Sequence, residues 1–387
     1  MEIPLVDVAW QHRQVRAEID QGIDRLLNDP TCDGTEFVQQ LENNFASRIG
    51  QGVRAISVQS GTAAEFLVLR ALGIGPGDEV LTVPNSDLAT TAAISHTGAT
   101  PVLVDIDPKT YTVDPEKIRA AITPHTRAII PVHMYGLPAE MDSIQETARQ
   151  YGLKIVEDSA IALGAEYRGA MTGTLGDAGF FSFAPRKVLG GIGSGGMVTT
   201  RDPDLAYRVR MLRGYGLPPE HMERPIGERH KDPGLDHHEE GHNLRLDSVQ
   251  AIVIEAKFAH LDEWRALRQQ VADRYTAGLG SVPEIELPYV PAPMRHAWRN
   301  YVIKIPARDR VRARLLQQGI TVATFYSPPV HLQPVYQHLG LGPGSFPVAE
   351  AVAQSLLCLP MHPGLTEEQT DLIIAALTSA LREEART

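Results

Sequence analysis

The chain has 387 residues, is 43% hydrophobic and carries a formal net charge of -11 at pH 7. That length exceeds what one compact core usually holds and predicts two domains, or a large domain with a smaller partner. The charge, with no Lys/Arg-rich block and no aromatic-basic interleaving, argues against a nucleic-acid surface. No run of about 18 apolar residues occurs and the start, MEIPLVDVAWQHRQ, is not a leader peptide, so no membrane span is expected and a cytoplasmic location is. The two cysteines, Cys32 and Cys358, lie too far apart for a metal-ligand spacing or a disulfide framework.

In chain order, residues 13–29 and 37–50 read as two helices separated by the turn signal DPTCDGT. From residue 55 onward the pattern changes. Six short apolar runs, AISV, EVLTV, TPVLVDI, AIIPVHM, KIVED and AGFFSF, alternate with amphipathic stretches such as TAAEFLVLRALG and MDSIQETARQYG. Such alternation builds a mostly parallel sheet with helices on both faces, an α/β domain. A polar stretch rich in Pro, Gly and His follows at 217–243, too long and irregular for an ordinary connector. Residues 246–279 then read as one long, bent helix that could link two domains. Beyond it, HAWRNYVIKI, a helix over 310–319, a strand TVATFY (321–326) and a closing helix over 366–385 predict a small α+β domain. The organisation expected is a large domain over 1–250 and a smaller one over 251–387.

Three features could carry chemistry. The acidic pair Glu157 and Asp158 ends an apolar strand, where ligands sit in open α/β sheets. QSGTAAEF (59–66) passes from strand end to helix through a glycine and a hydroxyl, a turn that can aim N–H groups at an anion. Lys187 stands between the apolar run FFSF and a loop with five glycines in residues 190–196. Each alone has a plain structural explanation: a helix-capping acid, a small-residue turn, a solvated lysine. Together they meet the needs of pyridoxal 5'-phosphate: an anion for the pyridine nitrogen, a phosphate anchor and an amine for a Schiff base.

With these features the chain resembles the DegT/StrS type of sugar aminotransferase, a fold-type I pyridoxal-phosphate family, nearly end to end. The resemblance runs through IPLVDV, VQSGTAA, LGIGPGDEVLTVP, GATPVLVDID, PVHMYG, VEDSAIALGAEYRG, FSFAPRK, GHNLRLDSVQA, YSPPVHLQP and LPMHPGLTEEQ. It implies a seven-stranded, mostly parallel sheet and a smaller C-terminal α+β domain. It further implies that Lys187 carries the cofactor as an imine, that Asp158 pairs with the pyridine nitrogen, and that Gly61, Thr62 and Ser182 bind the phosphate. Asn243 would reach the phosphate of the neighbouring subunit, in a homodimer with shared active sites.

Three positions depart from the family pattern: Ile161 where a glutamine or histidine faces the cofactor's phenolic oxygen, Leu88 where an aromatic ring stacks on the pyridine, and Ser194 in place of an acidic residue. Tyr326, His331 and Gln333 are candidate substrate contacts by the same resemblance, as is His133. Arg208, Arg210, Arg213 and Arg245 could offset the negative charge toward an anionic substrate. The adjacent His237 and His238 lie in a loop, and no metal is assigned.

The reaction implied is amino transfer from glutamate or glutamine to a nucleotide-linked keto-deoxysugar, in amino-sugar or antibiotic biosynthesis. The run KVLGGIG leans toward 3-keto over 4-keto sugars. An aminocyclitol aminotransferase, acting on a keto-cyclitol, competes with it, and the net charge leans slightly that way. A pyridoxal-phosphate sugar dehydratase would have histidine at Lys187. A non-catalytic family member would have lost Lys187 or Asp158.

Overall fold

The computed structural model describes residues 2–224 and 236–384, so part of the irregular 217–243 stretch lies outside the described residues. All six apolar runs contain strands: β1 (Arg54–Val58), β2 (Glu79–Thr82), β3 (Thr100–Leu103), β4 (Thr126–Ile129), β5 (Lys154–Asp158) and, after a short hairpin of β6 (Glu166–Tyr167) and β7 (Ala170–Met171), β8 (Ala178–Ser182). The seventh strand, β9 (Gly196–Thr200), follows the glycine loop. The sheet order is β1-β9-β8-β5-β4-β2-β3. β9 pairs antiparallel with β1 and β8, while β8-β5, β5-β4, β4-β2 and β2-β3 are parallel. Val80, Leu81, Ile129, Val156 and Phe180 are buried, as strands covered on both faces require.

The N-terminal region holds three helices rather than two: α1 (Val8–Gln14), α2 (Arg16–Asn28) and α3 (Thr35–Ile49). Asp7 caps α1 by accepting from the Trp10 N–H at 2.8 Å, and Val15, at φ -122° and ψ 26°, separates α1 from α2. The next helix, α4 (Gly61–Ala71), leaves β1 through Ser60, whose hydroxyl accepts from the Ala63 N–H.

The expected long helix is two, Ser248–Phe258 and Leu261–Leu279, broken at Ala259–His260. The 250/251 boundary falls within the first. Its Ala251, Ile252, Val253, Ile254 and Phe258 pack with Leu26 of α2 and Phe37, Leu41 and Phe45 of α3. Residues 321–326 do not form the expected strand. Only Ala323 bridges Cys358, and Pro328 and Pro329 follow without N–H groups to continue a ladder. The C-terminal sheet instead pairs Tyr301–Lys304 antiparallel with Leu356–Leu359. It packs under helices Leu261–Leu279, Arg308–Gln317 and Glu367–Glu384 through Tyr275, Ile303, Leu315, Leu357 and Leu377. Among the described residues, no helix is long and apolar enough to cross a membrane, and no group of three His, Cys, Asp or Glu could hold a metal ion.

Candidate active site

Successive strand residues face opposite sides, so β5 must separate its two acids. Glu157 turns into the structure, where its carboxylate accepts from the N–H groups of Gly173 (2.8 Å), Leu175 (2.6 Å) and Gly176 (2.8 Å). It also meets His133 Nε2 at 2.9 Å. His133 Nδ1 accepts from the Ala139 N–H at 3.0 Å, which leaves the ring proton on Nε2, facing Glu157. This buried network explains both residues structurally. Asp158 faces a cavity of about 250 Å³ at the carboxyl end of the sheet. It accepts from the Thr90 hydroxyl at 2.9 Å and the Ala160 N–H at 3.0 Å. Burial pushes its carboxyl above the usual carboxylate range, opposed by the Ala160 N–H, Lys187 and Thr90.

Gly61 and Thr62 line the same cavity with Ser182 and Lys187. They begin α4, so their N–H groups have no intrahelical acceptor and the helix dipole favours an anion there. A Cβ on Gly61 would stand 2.8 Å from Ser182 Cβ, so only glycine lets these two elements close into a cup. Lys187 follows β8 and enters the cavity between cup and carboxylate. Burial lowers its pKa first and the Arg299 guanidinium lowers it further, while Asp158 and Asp87 raise it. The glycine loop behind it is tightly held: a Cβ on Gly190 would lie 2.0 Å from the Pro185 carbonyl oxygen, and the buried Lys257 ammonium donates to the Gly190 carbonyl. A primary amine between a buried carboxylate and a helix-terminal cup is a donor set that fits pyridoxal phosphate.

Several expected contacts are placed elsewhere. Leu88 is 43% exposed and does not line the cavity. Asp87 folds onto the Ala89 N–H as the N-cap of helix α5 (Leu88–His96), turning Leu88 to solvent, so that Asp87 and Ala89 line the wall instead. Ile161 is buried in the core cluster with Val132, Met134 and Val330, and the cavity wall there is Ala160. Ser194 does line the cavity. Tyr326 does not line the cavity, although the charges of Asp87, Arg299 and Asp158 act on its phenol. Nor does His331. Its ring is buried against Phe346, and Nε2 meets Glu350 at 3.0 Å, pinning a loop whose Gly344 and Phe346 N–H groups donate to the same carboxylate. Gln333 donates to the Pro328 carbonyl at 3.2 Å, away from the cavity.

Asn243 and Arg245 are exposed and line a separate hollow of about 330 Å³, where Arg245 donates to Asn243 at 3.3 Å. Arg208 donates to the Ala71 carbonyl at 2.5 Å. Arg210 and Arg213 pair with Glu42 and Glu223, so neither is a free anion site. His237 meets the Tyr215 carbonyl at 2.8 Å.

Two groups that act on the site escaped the sequence reading: Glu65, which lines the cavity, and Arg299, which does not. Glu65 is 1% exposed and lines the cavity one helical turn beyond Gly61. An acid on the apolar face of α4 was the available signal. Arg299 has no motif of its own and acts on Lys187 from more than a hundred residues away.

The model of the DegT/DnrJ/EryC1/StrS aminotransferase family matches residues 13–378. The dTDP-3-amino-3,4,6-trideoxy-alpha-D-glucose transaminase of Streptomyces venezuelae is 40% identical over 375 residues, covering 97% of this chain and 95% of that protein. The crystal structure of S. venezuelae DesV in complex with a ketimine intermediate superposes with a TM-score of 0.89 at 40% identity, covering 98% of both chains. The structure of NtdA from Bacillus subtilis with bound cofactor PMP superposes with a TM-score of 0.83 at 28% identity, over 98% of this chain and 85% of that one.

Proposed function

The chain belongs to the DegT/DnrJ/EryC1/StrS aminotransferase family, and on that premise we propose that it uses pyridoxal phosphate to move an amino group from glutamate or glutamine to a nucleotide-linked keto-deoxysugar, a 3-keto sugar before a 4-keto one. The observation that carries the reading is Lys187 standing in one cavity with Asp158 and with the cup of Gly61, Thr62 and Ser182. When bound, pyridoxal phosphate supplies a conjugated ring that draws electrons from the substrate carbon.

The protein's own groups do the rest. The N–H groups opening α4 and the Ser182 hydroxyl would hold the phosphate. Asp158 would hold a proton at the ring nitrogen, so that the ring can draw electrons. Thr90 and the Ala160 N–H keep that carboxylate oriented. Lys187 Nζ would take a proton from the donor's α-carbon and deliver it to the cofactor's C4' carbon. A base needs a substantial neutral fraction near neutral pH, and burial beside Arg299 shifts Lys187 in that direction. Asn243, exposed and outside its own cavity, reaches the phosphate of a partner subunit, so that two chains complete each site.

The test is spectroscopic and then chemical. Purified protein should show the visible absorption band of the lysine-bound cofactor, absent from Lys187→Ala. Glutamate should bleach it. Nucleotide-linked 3-amino sugars should do so faster than their 4-amino isomers. Absence of the band in the wild type, or its survival in Lys187→Ala, removes the central claim. Bleaching by aminocyclitols alone would reassign the acceptor.

A further inference from the structure

The glycine loop that follows Lys187 is wrapped around one side chain. Gln250, on helix Ser248–Phe258, accepts with its amide oxygen from the Ile192 N–H at 3.1 Å and the Gly193 N–H at 3.3 Å. A Cβ on Gly191 would stand 2.3 Å from that oxygen, and one on Gly193 2.8 Å from the Gln250 amide nitrogen. Those two glycines therefore admit Gln250 where any side chain would shut it out. The far end of the loop meets the phosphate cup, since a Cβ on Gly196 would lie 2.4 Å from the Ser60 carbonyl oxygen.

The same helix reaches the loop again through Lys257, seven residues further on. Its side chain is fully buried and its ammonium donates to the Gly190 carbonyl. Among the described residues no carboxylate pairs with it, and burial alone lowers it to about 8. The His12 ring of α1 feels its charge, and the neighbouring Gln11 donates to the Val188 carbonyl at 3.4 Å. A buried ammonium with a single carbonyl opposite is costly, and an apolar side chain of that size would serve packing as well or better. What Lys257 provides that an apolar residue cannot is a donor for one loop carbonyl, three residues after Lys187.

We propose that Lys257, together with Gln250, is a positioning residue for the reaction: by holding Gly190, Ile192 and Gly193, helix Ser248–Phe258 sets where Lys187 Nζ stands in the cavity. The inference rests on the aminotransferase reading above and says what aims its lysine. To join the cofactor, Lys187 Nζ must bond to the aldehyde carbon while the aldehyde oxygen leaves as water. Such a step tolerates little displacement, a shift of about 1 Å costing on the order of a hundredfold. Lys187 itself is tied only to the turn before it, through its N–H to the Ala184 carbonyl at 2.9 Å, so the tethers beyond it fix the other side.

Two forms of the cofactor separate positioning from general support of the fold. Pyridoxal phosphate bonds to Lys187, whereas pyridoxamine phosphate already carries an amine and needs only the cup and Asp158. Titrated into the full chain freed of cofactor, pyridoxal phosphate should bind Lys257→Met about ten- to a hundredfold more weakly than wild type, the range for a lost hydrogen bond from a charged group. Pyridoxamine phosphate should bind both alike. Gln250→Ala, which removes a different tether, should show the same split. Equal losses for the two forms, or undiminished affinity for pyridoxal phosphate in both variants, overturn the assignment. If Lys257→Met does not fold, Gln250→Ala decides by the same comparison. A wild type that binds neither form would sink the aminotransferase reading and this inference with it, whereas a wild type that binds both, with no split in the variants, rejects the positioning role alone.

Discussion

Glu65 offers a direct test of the electrostatics of the cavity. It lies on α4 four residues after Gly61, is 1% exposed, and its Oε1 is enclosed without a hydrogen-bond partner. Burial pushes its carboxyl well above the usual carboxylate range, and the Asp158 charge pushes it further. A carboxyl whose folded pKa is raised binds its proton more tightly folded than unfolded. The stability it contributes is therefore complete below about 4.5 and is lost as pH rises through the folded pKa. The loss proceeds at up to about 1.4 kcal/mol per pH unit. Replacing the acid with Glu65→Gln removes that slope, and Glu65→Leu also removes an unsatisfied polar oxygen, about 1–3 kcal/mol. Urea unfolding of cofactor-free protein at half-unit steps between pH 5 and 9 measures the difference. Wild type should lose ground to Glu65→Gln as pH rises, and Glu65→Leu should be the most stable of the three at pH 8. Asp158 carries a raised pKa of the same sign and is present in every variant, so the difference curve reports Glu65 together with its coupling to Asp158. Parallel curves for wild type and Glu65→Gln, or a wild type that gains with pH, would refute the reasoning.

Three other outcomes are expected. Gly61→Ala places a methyl 2.8 Å from Ser182 Cβ, and overpacking of about 1–3 kcal/mol should weaken cofactor affinity roughly ten- to a hundredfold while leaving the far-ultraviolet spectrum unchanged; full affinity by fluorescence titration would move the phosphate cup elsewhere. Glu157→Ala strands three backbone N–H groups and His133, so urea unfolding should show a loss of about 3–5 kcal/mol, and a stable but inactive variant would instead make Glu157 catalytic. Lys187→Ala and Asn243→Ala chains, each inactive alone, should recover activity when mixed and refolded, because one site of the heterodimer then has both native residues. Recovery in neither mixture nor dilution series, or a fully active monomer, would end the shared-site proposal.

Much of the frame was legible before any coordinates. Each apolar run of four to seven residues became a strand, because β-branched and aromatic residues between turn formers have few other ways to be buried. The seventh strand, GMVTT, was obscured by the glycines before it, and TVATFY misled because an apolar alternation states a preference without supplying a free strand edge to pair with. Lys187, Asp158 and the Gly61 cup were readable because each depends on its immediate neighbours: a strand end, a tight turn, a helix start.

The remaining site residues depend on what lies across a gap. Leu88 and Asp87 are adjacent, and only the N-cap at Ala89 decides which of them faces the cavity. His331 reads the same in sequence whether it meets a substrate or, as here, Glu350. Arg210, Arg213 and Arg299 are alike as letters, yet the first two are met by carboxylates and the third by none. The sequence by itself determined the layers, the lysine loop and the phosphate turn, since local periodicity and backbone sterics are written in consecutive residues. Tertiary structure alone decided which charges are left unpaired at the site, because desolvation and Coulomb terms depend on distances between segments that no local pattern records.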